Sequence, residues 1–428
     1  MNILFFTNTY LPHVGGVAKS VQTLETAFRD MGHQVRIVAP EFEGATKDAN
    51  VLRVPAIQKF NGSDFSVRIP IPNVVGHFVE TFKPDIVHSH HPFLLGDAAL
   101  RIARRCEIPI VFTHHTLYER YTHYVPLDSP AIKRMAVKLA TEYCNLCDMI
   151  VAPSDSIARL LKKRGVETRI EPIPTGIDLD AFAGNRGDDF RKAKGIPEDA
   201  TVIGTVGRMA KEKNLPYLAE SVAGYLKDHP QAVFLAVGDG NARVEMISIL
   251  KQAASENQIF AVGELSGQDL LDAYAAMDCF VFASQTETQG IVLAEALAAG
   301  NPVVALDGPG VREIMIEGKT GFLLPSEASP TDFANHLAKL LDDEATFQAC
   351  TRAARPSSEP YATRVCAERM LSCYEQLTAE HKPADQDVPD FWHRLLGDLE
   401  SEWDLIAAKS AALMVALNHQ GQEVVSLD

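Results

Sequence analysis

Short apolar runs recur along the chain, and stretches with apolar residues at helical spacing separate them. Ile3–Thr7 is the first such run, followed by a break at His13-Val14-Gly15-Gly16. Val17, Val21, Leu24, Phe28 and Met31 then fall on one helical face, and Gly32 supplies a stop. Val35–Ala39, Asp85–His88, Ile110–Thr113 and Met149–Ala152 read as further strands. The second half repeats the scheme, with strands at Val202–Val206, Val233–Val237, Ile259–Val262, Cys279–Ala283, Val303–Leu306 and Phe322–Leu324. Helical patterns lie between them, among them Asp269–Met277 and Ile291–Ala299. Buried strands this short, alternating with helices, predict two α/β, doubly wound Rossmann-like domains, each with a parallel sheet and right-handed crossovers. Ligands of such sheets bind in the crevice beyond the strand C-termini.

Pro, Gly and charged residues cluster from Pro172 through Gly187, as a linker requires. The expected division is residues 1–183 as a first domain, 184–360 as a second, 361–380 as a C-terminal crossover helix and 381–428 as an acidic helical tail. In that tail Phe391, Leu395, Leu396, Leu399, Trp403 and Leu405 recur at helical spacing.

Length agrees with this division, since 428 residues exceed one ordinary core. No uninterrupted run of 18 apolar residues occurs, so no spanning helix is expected. The opening Met-Asn-Ile-Leu-Phe-Phe-Thr reads as a strand and not as a signal peptide, which predicts a cytoplasmic protein. A net charge of −16 argues against a nucleic-acid partner. Seven scattered cysteines suit a reducing compartment. Cys144 and Cys147 form a C-x-x-C, either a redox or zinc pair or, more simply, two thiols of one helix.

The stretch richest in chemistry runs from Ser284 to Gly300. Glu287 precedes a helix, and Gly290 allows the backbone to approach a ligand closely. The N–H groups of Gly290, Ile291 and Val292 would then form a helix N-terminus, suited to a diphosphate. Glu295, one turn further on, can accept the two hydroxyls of a ribose.

This stretch resembles the E-x7-E motif of the retaining glycosyltransferases of family GT4, which have the GT-B fold. The match extends through Ala296, Ala298-Ala299-Gly300 and Pro302-Val303-Val304, and the resemblance covers roughly residues 1 to 375. It implies that Glu287 contacts the transferred sugar and Glu295 the ribose of a nucleotide-sugar donor. Gly15 and Gly16 resemble the loop that approaches the donor diphosphate. Arg208 and Lys213, in Gly207-Arg208 and the following Lys211-Glu212-Lys213-Asn214, would neutralise that diphosphate, with Lys211 an alternative for the lysine. Val262 lies where the family holds the nucleobase. His115 matches the family histidine that hydrogen-bonds the donor sugar, and His114 is an addition. The resemblance further implies front-face departure of the leaving group, without a cofactor and without a metal. Asp178-Leu179-Asp180 is formally a metal-binding D-x-D but falls in a family linker segment, and the crowded His88, His90, His91, His114 and His115 lack a completing carboxylate.

Thr116 to Tyr124 resembles a stretch of the diacylglycerol glucosyltransferases of this family, which nominates Tyr118, Tyr121 and His123 for the acceptor. UDP-glucose is the family's common donor. Lys133, Arg134 and Lys138 beside Met135, Val137 and Leu139 suggest a basic amphipathic helix for peripheral contact with the inner membrane face. The expected partners are therefore a nucleotide-sugar and a lipid or small-molecule acceptor. The alternatives are a soluble sugar or sugar-phosphate acceptor, or a non-catalytic nucleotide-sugar-binding protein.

Overall fold

The computed structural model describes residues 1–381 except 14, 58–66, 69–71, 121–129 and 185. The tail from 382 on, with its expected helix, lies outside the described residues, as do Tyr121 and His123.

The chain divides into two compact units. Unit 1 takes Met1–Val151, Leu161–Glu171 and the chain from Ser372, and unit 2 takes Ala152–Leu160 and Pro172–Leu371. Unit 1 is built on the strands β1 (Asn2–Phe6), β2 (Gln34–Pro40), β3 (Val51–Val54), β6 (Ile86–Ser89), β7 (Ile110–Thr113), β8 (Met149–Ala152) and β9 (Ile170–Pro172). They lie in the order β3-β2-β1-β6-β7-β8-β9. Pairing from β3 across to β8 is parallel. A separate pair, β4 (Ala56–Ile57) and β5 (Val67–Arg68), runs antiparallel.

Unit 2 is built on β10 (Thr201–Val206), β11 (Ala232–Val237), β12 (Ile259–Gly263), β13 (Cys279–Phe282), β14 (Val303–Leu306) and β15 (Gly321–Leu324). Their order is β12-β11-β10-β13-β14-β15, all parallel. The interior strands are buried on both faces, which is why they read as mostly apolar runs rich in Val, Ala and Phe. In each sheet the chain order reverses beside the first strand, at β1/β6 and at β10/β13. Such a switch point leaves a crevice beyond the strand C-termini.

Two strands missing from the periodicity, β3 and β9, are the two edges of the first sheet. Their segments, Val-Leu-Arg-Val and Ile-Glu-Pro, carry no long apolar run, and the proline of β9 suits an edge. Residues 172–183 belong to unit 2, because Ile177 and Phe182 are buried in its core beside Tyr274 and Phe280. A helix spans Thr363–Glu380, and the chain passes from unit 2 to unit 1 within it, between Leu371 and Ser372.

Cys144, Cys147 and Asp178 make local contacts. Cys144 and Cys147 are both buried, Cys147 Sγ donates to the Tyr143 carbonyl at 3.3 Å, and burial pushes the Cys144 thiol up to about 12. Thiols so protonated are poor nucleophiles. Asp178 Oδ1 accepts the N–H groups of Asp180 at 3.1 Å and Ala181 at 3.2 Å, so it caps the short turn Asp180–Phe182. Among the described residues no helix is long and apolar enough to cross a membrane.

Candidate active site

In unit 2 the site grows from the ends of β10 and β13. Beyond β10 the chain turns at Gly207, whose carbonyl lies so close to Gly238 that a Cβ there would sit 2.0 Å away. The Met209 N–H donates to Asp239 at 2.8 Å, and the Ala242 N–H donates to Met209 at 2.8 Å. This stitching fixes the segment that carries Arg208 and the single turn Lys211–Lys213. Asn214, at φ 55°, ends that turn, and its amide donates to the Ala283 carbonyl at 3.4 Å. The Thr286 hydroxyl donates to the Glu212 carbonyl at 3.3 Å. The loops after β10 and β13 are thus tied side by side.

The result is that Lys213 meets Glu287. Lys213 Nζ donates to Glu287 Oε1 at 2.6 Å, and both side chains are mostly shielded. Lys211 is exposed, whereas Lys213 is the lysine that meets Glu287. Arg208 Nη2 donates to Glu212 Oε1 at 2.6 Å from a half-exposed position. An ion pair of this kind adds little net stability, but removing one partner of a shielded pair leaves the other uncompensated.

The helix Ile291–Ala298 starts directly after Gly290, which is left-handed at φ 71°. A Cβ at Gly290 would lie 3.0 Å from the Gly310 carbonyl, so position 290 combines two reasons for glycine. Ile291 and Val292 occupy the first helical turn, whose N–H groups have no intrahelical carbonyl to bond. Such a turn attracts anions. Glu295, one turn on, is buried, and the Tyr274 hydroxyl donates to its Oε2 at 2.8 Å. Val262 lies in β12, half-buried against the unit 2 core, and the Gly263 carbonyl accepts from Gly238 N–H at 2.7 Å.

Arg208, Lys213, Glu287, Gly290, Ile291, Val292, Glu295 and Val262 therefore share unit 2. Gly15, Gly16, His115 and Tyr118 belong to unit 1. There Gly15 is extended at φ 179°, and the helix Gly16–Asp30 begins beyond it. His115 follows β7, and its Nε2 lies 3.0 Å from His90 Nδ1. Tyr118 lies in the single turn Tyr118–Arg120, packed against Phe93 and His114. Asn8 N–H donates to His91 Nδ1 at 3.0 Å. His88 uses both nitrogens, one with the Tyr374 hydroxyl and one with Thr113 Oγ1 at 2.7 Å. Burial holds His88 and His91 down at about 3 and His114 at about 4, so these imidazoles are neutral. Among the described residues no group of three or more His, Cys, Asp or Glu side chains is arranged to hold a metal ion.

Several supporting residues escape sequence reasoning. Tyr274 sits in the helix Gly267–Ala275 among apolar neighbours and has no spacing relation to Glu295. Gln289, adjacent to Gly290, clamps the Thr175 backbone with both ends of its amide, at 2.7 and 2.8 Å. Glu313 accepts the Ser156 N–H at 2.7 Å and the Gly310 N–H at 3.0 Å, holding the glycine that faces Gly290. The Asp307-Gly308-Pro309-Gly310 turn is the one signal that could have pointed there.

This arrangement matches known proteins along most of the chain. Residues 14–181 match the family model Glycosyltransferase Family 4, and residues 187–356 match Glycosyl transferases group 1. The alpha-monoglucosyldiacylglycerol synthase of Acholeplasma laidlawii is 28% identical over 394 residues, covering 88% of this chain and 97% of that protein. The GDP-mannose-dependent alpha-mannosyltransferase of Mycolicibacterium smegmatis is 30% identical over 331 residues, covering 76% of this chain and 84% of that protein. The solved sucrose-phosphate synthase of Thermosynechococcus elongatus superposes with a TM-score of 0.70 at 19% identity, covering 88% of this chain and 99% of that one, a likeness of fold. The chain thus belongs to the family 4 glycosyltransferases and is a glycosyltransferase of GT-B fold.

Proposed function

We propose that this enzyme transfers glucose from UDP-glucose to a membrane lipid such as diacylglycerol, with retention of configuration. The observation that carries the donor half is the Lys213–Glu287 pair beside the N-terminus of the helix Ile291–Ala298. A cation, a carboxylate and a first-turn anion site side by side suit a sugar diphosphate. The acceptor half rests on the likeness to the A. laidlawii synthase over nearly its whole length.

Arg208 and Lys213 bind the diphosphate together with the N–H groups of Ile291 and Val292. Charge grows on that diphosphate as the glycosidic bond breaks, so fixed cations act on the transition state. Glu287 contacts the sugar, and Glu295, held by Tyr274, takes the ribose hydroxyls. Val262 borders the base. By the family resemblance, Gly15 and Gly16 would contact the diphosphate and His115 would bond the sugar. The leaving phosphate takes the acceptor proton on the same face, which gives retention without a protein nucleophile or a metal. Tyr118, with Tyr121 and His123, contacts the acceptor. The helix Pro130–Asn145 exposes Lys133, Arg134, Met135 and Lys138. Three such charges contribute about 3 kcal/mol at an anionic leaflet, which is reversible peripheral docking.

A second reading, transfer of mannose from GDP-mannose, is favoured by the likeness to the M. smegmatis protein and to two further GDP-mannose-dependent alpha-mannosyltransferases. The test measures nucleoside-diphosphate release in EDTA from UDP-glucose or GDP-mannose, with and without diacylglycerol in anionic vesicles. Release from UDP-glucose that requires lipid is expected, with an α-linked product by NMR. Lipid-dependent release from GDP-mannose alone would select the second reading. Release that ignores lipid would overturn the acceptor, and an inverted product would overturn retention.

A further inference from the structure

The histidines after β6 and β7 form a contact chain that the proposed chemistry leaves unused except at its end. His90 is 1% exposed. Its Nδ1 lies 3.0 Å from His115 Nε2, and the two rings are near parallel at 22°. On its other side His90 stacks on His88 at 4.2 Å between centroids, and the Phe5 ring packs edge-on at 4.9 Å. The His90 N–H donates to the Phe6 carbonyl at 2.9 Å, so its backbone is fixed to β1. His88 is in turn held by Tyr374 and Thr113.

Burial, and then the neighbouring histidines, push both His90 and His115 well below the usual range. Two neutral imidazoles share one proton in their hydrogen bond, so one ring must donate and the other accept. The buried His90 Nε2 has no hydrogen-bond partner. Were His115 the donor, His90 would carry its own proton on that nitrogen, as an orphaned buried N–H. Orphaned buried N–H groups are rarer in proteins than under-satisfied acceptors. The opposite assignment leaves only a lone pair there.

We propose that His90 is a positioning residue: it donates from Nδ1 to Nε2 of His115 and thereby fixes His115 with its proton on Nδ1. His115 then presents a donor, on the nitrogen away from His90, to an oxygen of the donor sugar. That last step rests on the sugar-binding reading of His115, whereas the tautomer does not. Tyr374, through His88, supports the stack from below.

The test is nitrogen-15 NMR of histidine-labelled full-length protein with kinetics on the same samples. In the wild type, His115 is expected as the Nδ1–H tautomer. In His90→Phe, which keeps an aromatic ring in the stack, that tautomer is expected to give way to a mixture. Its kcat should fall at least tenfold with donor KM changed less than threefold. His90→Asn keeps a donor near the Nδ1 position and should restore most of both. If His90→Phe does not fold, Tyr374→Phe is expected to lower kcat severalfold and broaden the His115 signal. A wild-type Nε2–H tautomer, or a His115 signal unmoved by His90→Phe, would overturn the proposal. A shifted tautomer together with full activity of His115→Ala would keep the positioning contact and overturn only the sugar-binding reading.

Discussion

At the ends of β10 and β13, charged side chains meet in pairs: Lys213 with Glu287, Arg208 with Glu212. At the ends of β6 and β7, the polar groups are imidazoles stripped of charge by burial and joined ring to ring. Both regions sit beyond the switch point of a parallel sheet, yet they solve different problems. Unit 2 offers fixed charge and helix N–H groups, which suit a diphosphate. Unit 1 offers neutral donors and acceptors, which suit hydroxyls. Charge in the first region is set by residue type. Protonation in the second is set by burial, so it depends on the fold being intact.

The comparison can be broken most sharply at Glu287. Glu287→Ala is expected to raise the barrier by about 3–4 kcal/mol, as loss of one preorganised group does. A variant that folds and keeps more than a tenth of the wild-type kcat would remove Glu287 from the chemistry, since ~1.4 kcal/mol is tenfold. Next in size is Tyr274→Phe, which strips a buried carboxylate of a donor. It should cost about 1–3 kcal/mol in urea unfolding and raise donor KM. An unchanged midpoint and KM would mean that Glu295 does not depend on Tyr274.

The neutral histidines predict an acid weakness in unit 1. His88, His91 and His114 bind protons at about 3 to 4 when folded and near 6.5 when unfolded. Their contribution to stability is complete above pH 6.5 and is lost progressively as pH falls toward 4 and 3. Each adds a slope of up to ~1.4 kcal/mol per pH unit in that window. The urea midpoint should therefore drop between pH 7 and 5, and less so in His88→Gln. A flat profile would show that these rings are hydrated when folded. The smallest contrast is between the lysines. Lys213→Ala should lower kcat/KM for the donor about tenfold, ~1.4 kcal/mol. Lys211→Ala should leave it unchanged, and equal losses would undo the distinction.

Much of unit 2 was legible in order along the chain. Glu287, Gly290 and Glu295 fall within nine residues, and a strand, a loop and a helix suffice to place them. Lys213 was ambiguous with Lys211 until the Asn214 and Thr286 contacts drew two loops together. In unit 1 the resemblance marked Gly15, Gly16, His115 and the acceptor candidates, and His90 was only one of five crowded histidines. His90 is 25 residues away from His115, and it becomes a neighbour because β6 pairs with β7 in register. Tyr374 is 286 residues from His88, beyond any local signal. The edge strands β3 and β9 were silent for a related reason: an edge needs no two-sided apolar run.

The sequence by itself determined the two parallel sheets, the glycine at 290, the carboxylates at 287 and 295, and the family, because these rest on local periodicity and motif spacing. Tertiary structure alone decided which lysine meets Glu287, which tyrosine holds Glu295, where residues 172–183 pack and which histidines lose their charge. Those outcomes depend on burial and on contacts between loops distant in the chain, and neither is encoded in any short window of residues.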